Sequence, residues 1–319
     1  MKETVGVITL NYNQNDYTIK CINSLLRSTH KNIIILLIDN GSKEENFLRL
    51  KKNLSKDSRI VLKRVVQNCG YVGGINYGFK EGIELNPDYF LIMNNDTLID
   101  EKAITELLIA CKDYDNQAIV TGKVYNYDER NRLQDIGYTF SNKKTLSINR
   151  VGLNEFDHGQ YDSLQERDLL DDVYWLLPAD LYKKIGGYNT YFWFNAEQAD
   201  FALRAKKEGY KLIYTPNAKL WHKGSVSIAG REKNPRLVYW HIQSTLIFRY
   251  IHLPKLFFFI EYCKVISSII SSHLKLLYQL ITKKAFDFKY PLAKLQGLFY
   301  FNKWLFIRNK NNGYNPFND

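Results

Sequence analysis

Cysteine is scarce in this chain. There are four in 319 residues (Cys21, Cys69, Cys111 and Cys263), and no two form a CxxC pair. That excludes a disulfide-stapled scaffold and argues against a structural zinc site or a thioredoxin-like motif. Scattered thiols of this kind suit a reducing compartment. A secretory leader is also missing: the sequence runs straight into Val5-Gly6-Val7-Ile8-Thr9-Leu10, so no signal peptide is expected. Long apolar runs free of charge are absent too. The most apolar stretch, Leu256–Ile281, is interrupted by Glu261, Lys264, His273 and Lys275, short of the ~18–20 clean residues of a membrane span. What is present, 45% hydrophobic and 24% charged residues, is ordinary globular usage with ample material for a core.

The formal charge of +11 is unevenly placed. Residues 231–319 carry 14 Lys+Arg against 4 Asp+Glu, whereas residues 1–230 carry 30 against 29. A near-neutral body thus continues into a basic segment.

From residue 5 to about 126, strand-like runs (Val5–Leu10, Ile33–Ile38, Ile60–Val66, Tyr89–Met93, Ala118–Val124) alternate with helical patterns. One helix follows Asp16 as a candidate cap, with Ile19, Ile22, Leu25 and Leu26 on one face. Another starts near Gly74, with Ile75, Phe79 and Ile83 at i, i+4, i+8. This alternation predicts an α/β fold with a mostly parallel sheet flanked by helices, whose ligands bind at the carboxyl ends of the strands. Those ends are polar throughout: Asn11-Tyr12-Asn13, Asp39-Asn40-Gly41-Ser42, Gln67 through Gly74, and Asn94-Asn95-Asp96-Thr97. Any one of them reads as turn chemistry, but four together point to a polar ligand along the sheet edge. The Gly-rich stretch Asn68–Gly78 matches neither GxGxxG nor GxxxxGK[ST].

Residues 127–170 read as a loop-rich insertion with a hairpin around Leu146–Val151. A helix over Pro178–Ile185 ends at Gly186-Gly187, and another runs from Glu197 to Glu208. A strand, Lys211–Thr215, precedes the loop Trp221-His222-Lys223-Gly224-Ser225.

Three constellations carry candidate chemistry. Glu197, Asp200 and Arg204 share a helix face, and the aromatic run Tyr191–Phe194 before them would set Glu197 in an apolar cleft, where a carboxylate gains basicity. Helix-terminal charge bias explains the same pattern. Asp96 after a strand suits Mg2+ or Mn2+ on a diphosphate, or equally a helix cap. His222 reads as a hydrogen-bonding residue, a metal ligand or a phosphate donor.

Taken in order, Leu10–Asn13, Ile38–Ser42, Asn68–Gly78, Asn94–Thr97, Gly186-Gly187-Tyr188 and Glu197–Arg204 resemble the inverting GT-A glycosyltransferases of family 2, within them the rhamnosyltransferase-like branch. The resemblance spans about residues 4–250. It implies a GT-A, Rossmann-like α/β fold, with domains at 1–236 (a nucleotide-sugar half, 1–126, and an acceptor and catalytic half, 127–236) and a helical, aromatic and basic region at 237–319. It implies that Thr9, Asn11 and Asp39 line the nucleotide with Asn68 and Gly74 nearby, and that Asn94-Asn95-Asp96 stands at the DxD-like position. Asp96 and His222 would then serve a Mn2+ or Mg2+ ion, and Glu197 or Asp200 would be the base. Two positions depart from the family pattern, Asn94 and Gln198, where it carries carboxylates. A further departure is Asp171–Trp175 in place of smaller residues. Trp175 and Arg204 are acceptor candidates, Trp175 with a core role as its other reading.

The expected activity is transfer from a nucleotide-sugar donor (dTDP-rhamnose or a UDP-sugar) to a lipid-linked or surface-polysaccharide acceptor. The alternative is a catalytically silent sugar-nucleotide-binding subunit. A nucleotidyltransferase ranks lower, because Thr9–Asn15 lacks a Gly/Arg/Lys-rich triphosphate loop. Aromatics and leucines among the C-terminal lysines suit amphipathic helices on an anionic membrane surface, with helices packing on the core as the nearest rival reading. Nucleic acid is the weakest partner, since the basic residues lie among long apolar runs. The expected location is the cytoplasm, peripheral on the inner face of the cell membrane.

Overall fold

The computed structural model describes residues 2–224, 234–282 and 287–308. The predicted alternation is realised as β1 (Val5–Asn11), α1 (Asn15–Leu26), β2 (Ile33–Asn40), α2 (Glu44–Asn53), β3 (Ile60–Val65), α3 (Gly70–Ile83), β4 (Tyr89–Met93), β5 (Thr97–Ile99), α4 (Ala103–Lys112) and β6 (Ala118–Asn126). The polar stretch that follows contains β7 (Leu133–Asp135), the hairpin strands β8 (Tyr138–Asn142) and β9 (Ser147–Arg150), and β10 (Gln165–Glu166). Then come β11 (Tyr174–Pro178), α5 (Ala179–Ile185), α6 (Glu197–Lys207), β12 (Lys211–His222), α7 (Pro235–His252), α8 (Lys255–Ile281) and α9 (Lys289–Ile307).

Four elements differ from the sequence expectation. Asp16 falls inside the first turn of α1, behind Gln14 at the N-cap. Helix α3 begins at Gly70, one turn before Gly74. Tyr174–Pro178 is a strand, hidden in the sequence because both its faces are buried and no alternation shows. Trp221 and His222 lie on β12, whose register shifts between Tyr214 and Lys219, so the run past Pro216 reads as broken although pairing resumes. Ser225, grouped with that loop, lies outside the described residues.

Contacts divide the chain into two units. One comprises Met1–Thr139, Asn149–Asn189 and Gln198–Gly224; the other comprises Phe140–Ile148, Thr190–Glu197 and Ser225–Asp319. The first is built on a ten-stranded sheet of order β10-β12-β6-β11-β4-β1-β2-β3, with β5 on β12 and β7 on β6. Strands β3, β2, β1 and β4 pair in parallel, as do β6 and β12, while β11 runs antiparallel to β4 and β6. One face is filled by Val5, Val7, Ile35 and Leu37 against Ile22 and Leu25 of α1 and Leu107 of α4. Helix α3 covers the other face at close range. A Cβ on Gly78 would stand 2.4 Å from Ile8, and one on Gly74 would stand 2.7 Å from Leu10. The Gly-rich segment therefore serves helix–sheet packing, with Gly74 set against Leu10.

In the second unit, α7 is capped by the Asn234 side chain, which accepts from the Arg236 amide at 3.0 Å. Helices α7 and α9 approach closely at Gly297, where a Cβ would lie 2.9 Å from the Tyr239 carbonyl. Trp193 and Trp240 stack with ring centroids 5.8 Å apart, and Tyr239 and Ala293 complete that core. Helix α8 joins through the buried Glu261, held by Arg249 at 3.1 Å and Lys264 at 2.7 Å.

Candidate active site

The strand ends of β1, β2 and β4 meet in one hydrogen-bond network. Asn11 Nδ2 donates to Asp39 Oδ2 at 2.8 Å and to Ser42 Oγ at 3.2 Å, while Asn11 Oδ1 accepts from Thr18 Oγ1 at 2.8 Å. Asn95 Nδ2 donates to the same Thr18 hydroxyl at 2.7 Å, which links Asn11 to the turn after β4. Asp39 Oδ1 accepts from the Ser42 amide at 3.1 Å and lies 3.7 Å from Arg64 Nε. Thr9, Asn11 and Asp39 are fully buried, and among the described residues Thr9 Oγ1 has no hydrogen-bond partner. A neighbouring loop is pinned to this group. Gly41 has φ +80°, and a Cβ there would sit 2.3 Å from the Asn68 amide, so only glycine allows the approach. Asn68 itself accepts from Asn40 at 3.3 Å and from the Gly70 amide at 2.9 Å, holding the entry to α3. Asn15, Thr18, Ser42 and Arg64 were not singled out in the sequence. Ser42 follows Asp39 in the same motif, but the others had no signal of their own.

A second cluster forms because β5 pairs with β12 in the register Thr97↔His222. It places His222 Nε2 3.1 Å from Asp96 Oδ1, with Asn94 Nδ2 3.4 Å from the same nitrogen. Gln134, on β7, orders the imidazole. Its Nε2 donates to the His222 carbonyl at 2.8 Å, so its Oε1, 2.8 Å from His222 Nδ1, is the end that faces the ring. A carbonyl oxygen only accepts, so Nδ1 carries a proton and Nε2 is the nitrogen turned to Asp96. A carboxylate oxygen and an imidazole nitrogen facing one spot, with the imidazole held from behind, fit a divalent cation. No group of three or more His, Cys, Asp or Glu occurs among the described residues that could hold a metal alone. This pair therefore suits an ion carried in by phosphate oxygens, as Mg2+ commonly is. Gln134 lay in the region read as loop-rich, where a glutamine has no pattern to mark it.

A third group was also missed. Since Tyr174 pairs with Met93 and the Asn94 amide donates to the Val173 carbonyl at 2.9 Å, Asp172 stands beside the Asn94–Asp96 turn. Its Oδ2 accepts from Tyr71 at 2.8 Å and from Tyr188 at 2.6 Å. Burial, then the neighbouring Asp171, pushes its carboxyl up to about 7 despite these donors. Asp135 is raised to about 6, again by burial first and Asp171 second, with Arg150 at 2.5 Å opposing. The raised carboxyl of Asp172 makes stability depend on pH. The folded carboxyl keeps a proton that the unfolded chain loses near pH 4, so its contribution is full below about pH 4 and is lost as pH rises through about 7. Thermal melts of Asp172→Asn should therefore show a higher midpoint at pH 7 and a flatter fall between pH 4 and 7 than the parent. Parallel curves for the two proteins would refute the assignment.

On α6, Glu197 and Asp200 are 2% and 1% exposed. The two residues before the helix, Asn195 and Ala196, have φ of +74° and +70°. Such backbone strain in an alanine concentrates at functional sites. Asp200 accepts from Arg204 Nε at 2.9 Å. The same guanidinium donates to the carbonyls of Ile185 at 2.9 Å and Gly187 at 2.7 Å. Arg204 thus closes the end of α5. Trp175 is fully buried, 5.8 Å from the Phe201 ring.

The mixed sheet with a metal-competent pair at its strand ends is a GT-A fold. A solved structure described as GalNAc-T7 with UDP, GalNAc and Mn2+ matches 83% of the chain and 57% of its own length, with a TM-score of 0.55 and 13% identity. Residues 6–173 match the model of glycosyl transferase family 2, and the chain belongs to that family. Glycosyltransferase GlyG of Streptococcus pneumoniae is 26% identical over 129 residues, 40% of this chain. The chain spans 42% of the length of that relative.

Proposed function

We propose that the protein transfers a sugar, with inversion, from a nucleoside-diphosphate donor to a hydroxyl of a glycan or lipid-linked acceptor. The observation that carries this reading is the Asp96–His222 pair, 3.1 Å apart at the carboxyl end of β4. These two residues would hold Mn2+ or Mg2+ together with the donor diphosphate. The ion, when bound, offsets charge developing on the leaving phosphate. Asn11, Asp39 and Thr9 order the nucleotide side, with Asn68, Asn94 and Asn95 holding the adjoining turns. Glu197, or less favourably Asp200, takes the acceptor's hydroxyl proton. The acceptor oxygen bonds to the anomeric carbon as the bond from that carbon to the phosphate oxygen breaks. Donors in keeping with the rhamnosyltransferase-like motifs are dTDP-rhamnose and UDP-sugars.

The test is donor turnover across a panel of nucleotide sugars, with chelator and with added Mn2+ or Mg2+. Chelation should suppress turnover and either ion should restore it, while Asp96→Ala should lose at least tenfold. Full activity in chelator would remove the ion from the reaction. A second reading, a catalytically silent donor-binding subunit, is favoured by Asn94, whose carboxamide stands where a second carboxylate would strengthen the ion's site. Donor binding at a hundredfold excess over Kd stabilises a fold by about 2.7 kcal/mol. A thermal shift of that order without turnover of any donor would favour this second reading.

For location we place the enzyme at the cytoplasmic face of an anionic membrane. Helix α8 is compatible with this: Leu256, Phe259, Ile270 and Leu274 are exposed along it, and it is apolar enough by length and overall composition to meet a membrane although Glu261, Lys264, His273 and Lys275 interrupt it.

A further inference from the structure

Helix α8 turns two different faces away from solvent-like chemistry. One face packs in its own unit through Glu261, Tyr262 and Ile269, with Tyr262 Oη bonded to Asn302 of α9 at 3.0 Å. The other is exposed yet apolar. Leu256, Phe259, Ile270, Leu274, Leu277 and Ile281 recur at helical spacing along a helix about 40 Å long. Helix α9 repeats the pattern with Leu292, Leu295 and Phe299. A surface helix normally turns its charged face outward; here the outward face is the apolar one.

Beside this stripe, between α8 and α9, lies a cavity of ≈ 440 Å³ of a different character. Ser268, Ser271, Ser272 and Lys275 of α8, Asp287, and Lys294 of α9 are among the residues that line it. Lys294 Nζ donates to the hydroxyls of Ser268 and Ser272, both at 3.0 Å, so its charge is held at the cavity wall. Asp287 Oδ1 accepts from the Lys289 amide at 2.9 Å and is engaged at the start of α9. Two ammonium groups and three hydroxyls against one carboxylate make an anion site. Lys275 directly follows Leu274, about 100° round the helix, which sets this polar pocket at the margin of the apolar stripe. The surrounding segment 231–319 carries 14 Lys+Arg against 4 Asp+Glu.

We propose that this cavity binds the phosphate of an anionic phospholipid, with the lipid's chains lying along the exposed apolar stripes of α8 and α9. The two helices then lie in the interface and do not cross it. The Arg249–Glu261 pair and the Tyr262–Asn302 bond would have to break for α8 to leave its unit and span. The proposal rests on the membrane location given above, and gives that location a defined headgroup site.

Flotation of the full chain with phosphatidylglycerol vesicles, against phosphatidylcholine vesicles, at low and high salt tests it. The parent should float with the anionic vesicles and weaken as salt rises. Lys275→Gln and Lys294→Gln should each lower the partition about fivefold, the value of one basic group at such a surface. Lys275→Arg with Lys294→Arg should keep it. Parent-like flotation of the double Gln variant would overturn the cavity while leaving the membrane location standing. Failure of the parent to float would overturn both. Stabilisation by glycerol phosphate without vesicle binding would overturn lipid as the source of the phosphate. Donor-induced thermal shifts on the same protein report separately on the glycosyltransferase reading, and an unchanged melting profile of the Gln variants shows that they fold.

Discussion

Glu197→Gln should lower sugar transfer by about 10²–10⁴-fold, the usual worth of a positioned general base. Donor affinity, read by thermal shift, should stay within about twofold of the parent. The substituted carboxamide keeps the shape of Glu197 but cannot take a proton. We propose Glu197 ahead of Asp200 as the base. Asp200 is committed to Arg204, which also binds the carbonyls of Ile185 and Gly187. Glu197 instead opens α6 directly after two residues in the left-handed region. Asp200→Asn should accordingly cost stability as well as rate, because it weakens the clamp on α5. Wild-type turnover by Glu197→Gln would transfer the role of base to another group.

The second large effect is on stability. Lys123, on β6, is buried with its Nζ 2.7 Å from Asp157 and 2.5 Å from Asp162, and the Tyr125 hydroxyl also donates to Asp157. Burial alone would raise the Asp157 carboxyl, yet its bonds from Lys123 and Tyr125 bring it down to about 2. The stability from this pair is therefore present above about pH 4 and lost as pH falls through about 2. Lys123→Met leaves Asp157 buried without its cation and should cost about 3–5 kcal/mol at neutral pH. Chemical denaturation measures this directly. Adding Asp157→Leu should recover much of the loss, since replacing both partners removes the uncompensated charge. A single-variant loss under about 1 kcal/mol would mean that the Tyr125 hydroxyl and solvent satisfy Asp157.

Much of the first unit was legible from pattern. Five apolar runs alternating with amphipathic stretches predicted β1, β2, β3, β4 and β6, because a strand between helices must be apolar along its length, while the three-residue β5 (Thr97–Ile99) went unread. The residues at their carboxyl ends stood out because polar groups rarely cluster there by accident. Strand β11 was illegible for a related reason: Tyr174–Pro178 is buried on both faces and runs into α5 without a break, so no alternation marks it. For Trp175 the acceptor and core readings stay open in the sequence, which shows the aromatic but not the Phe201 and Tyr188 rings around it.

By itself, the sequence determined the α/β class, the six ordered motifs and the split between a neutral body and a basic, aromatic C-terminal segment. These are properties of local pattern and composition. Only the tertiary structure decided which motif residues meet. Pairing of β5 with β12 puts Asp96 and His222 3.1 Å apart across 126 residues of chain, and β7 supplies Gln134 behind them. It also showed that Gly74 packs on Leu10, that Arg204 clamps α5, and that Asp172 sits beside the β4 turn. Strand register and burial set each of these, and both depend on partners far away in sequence.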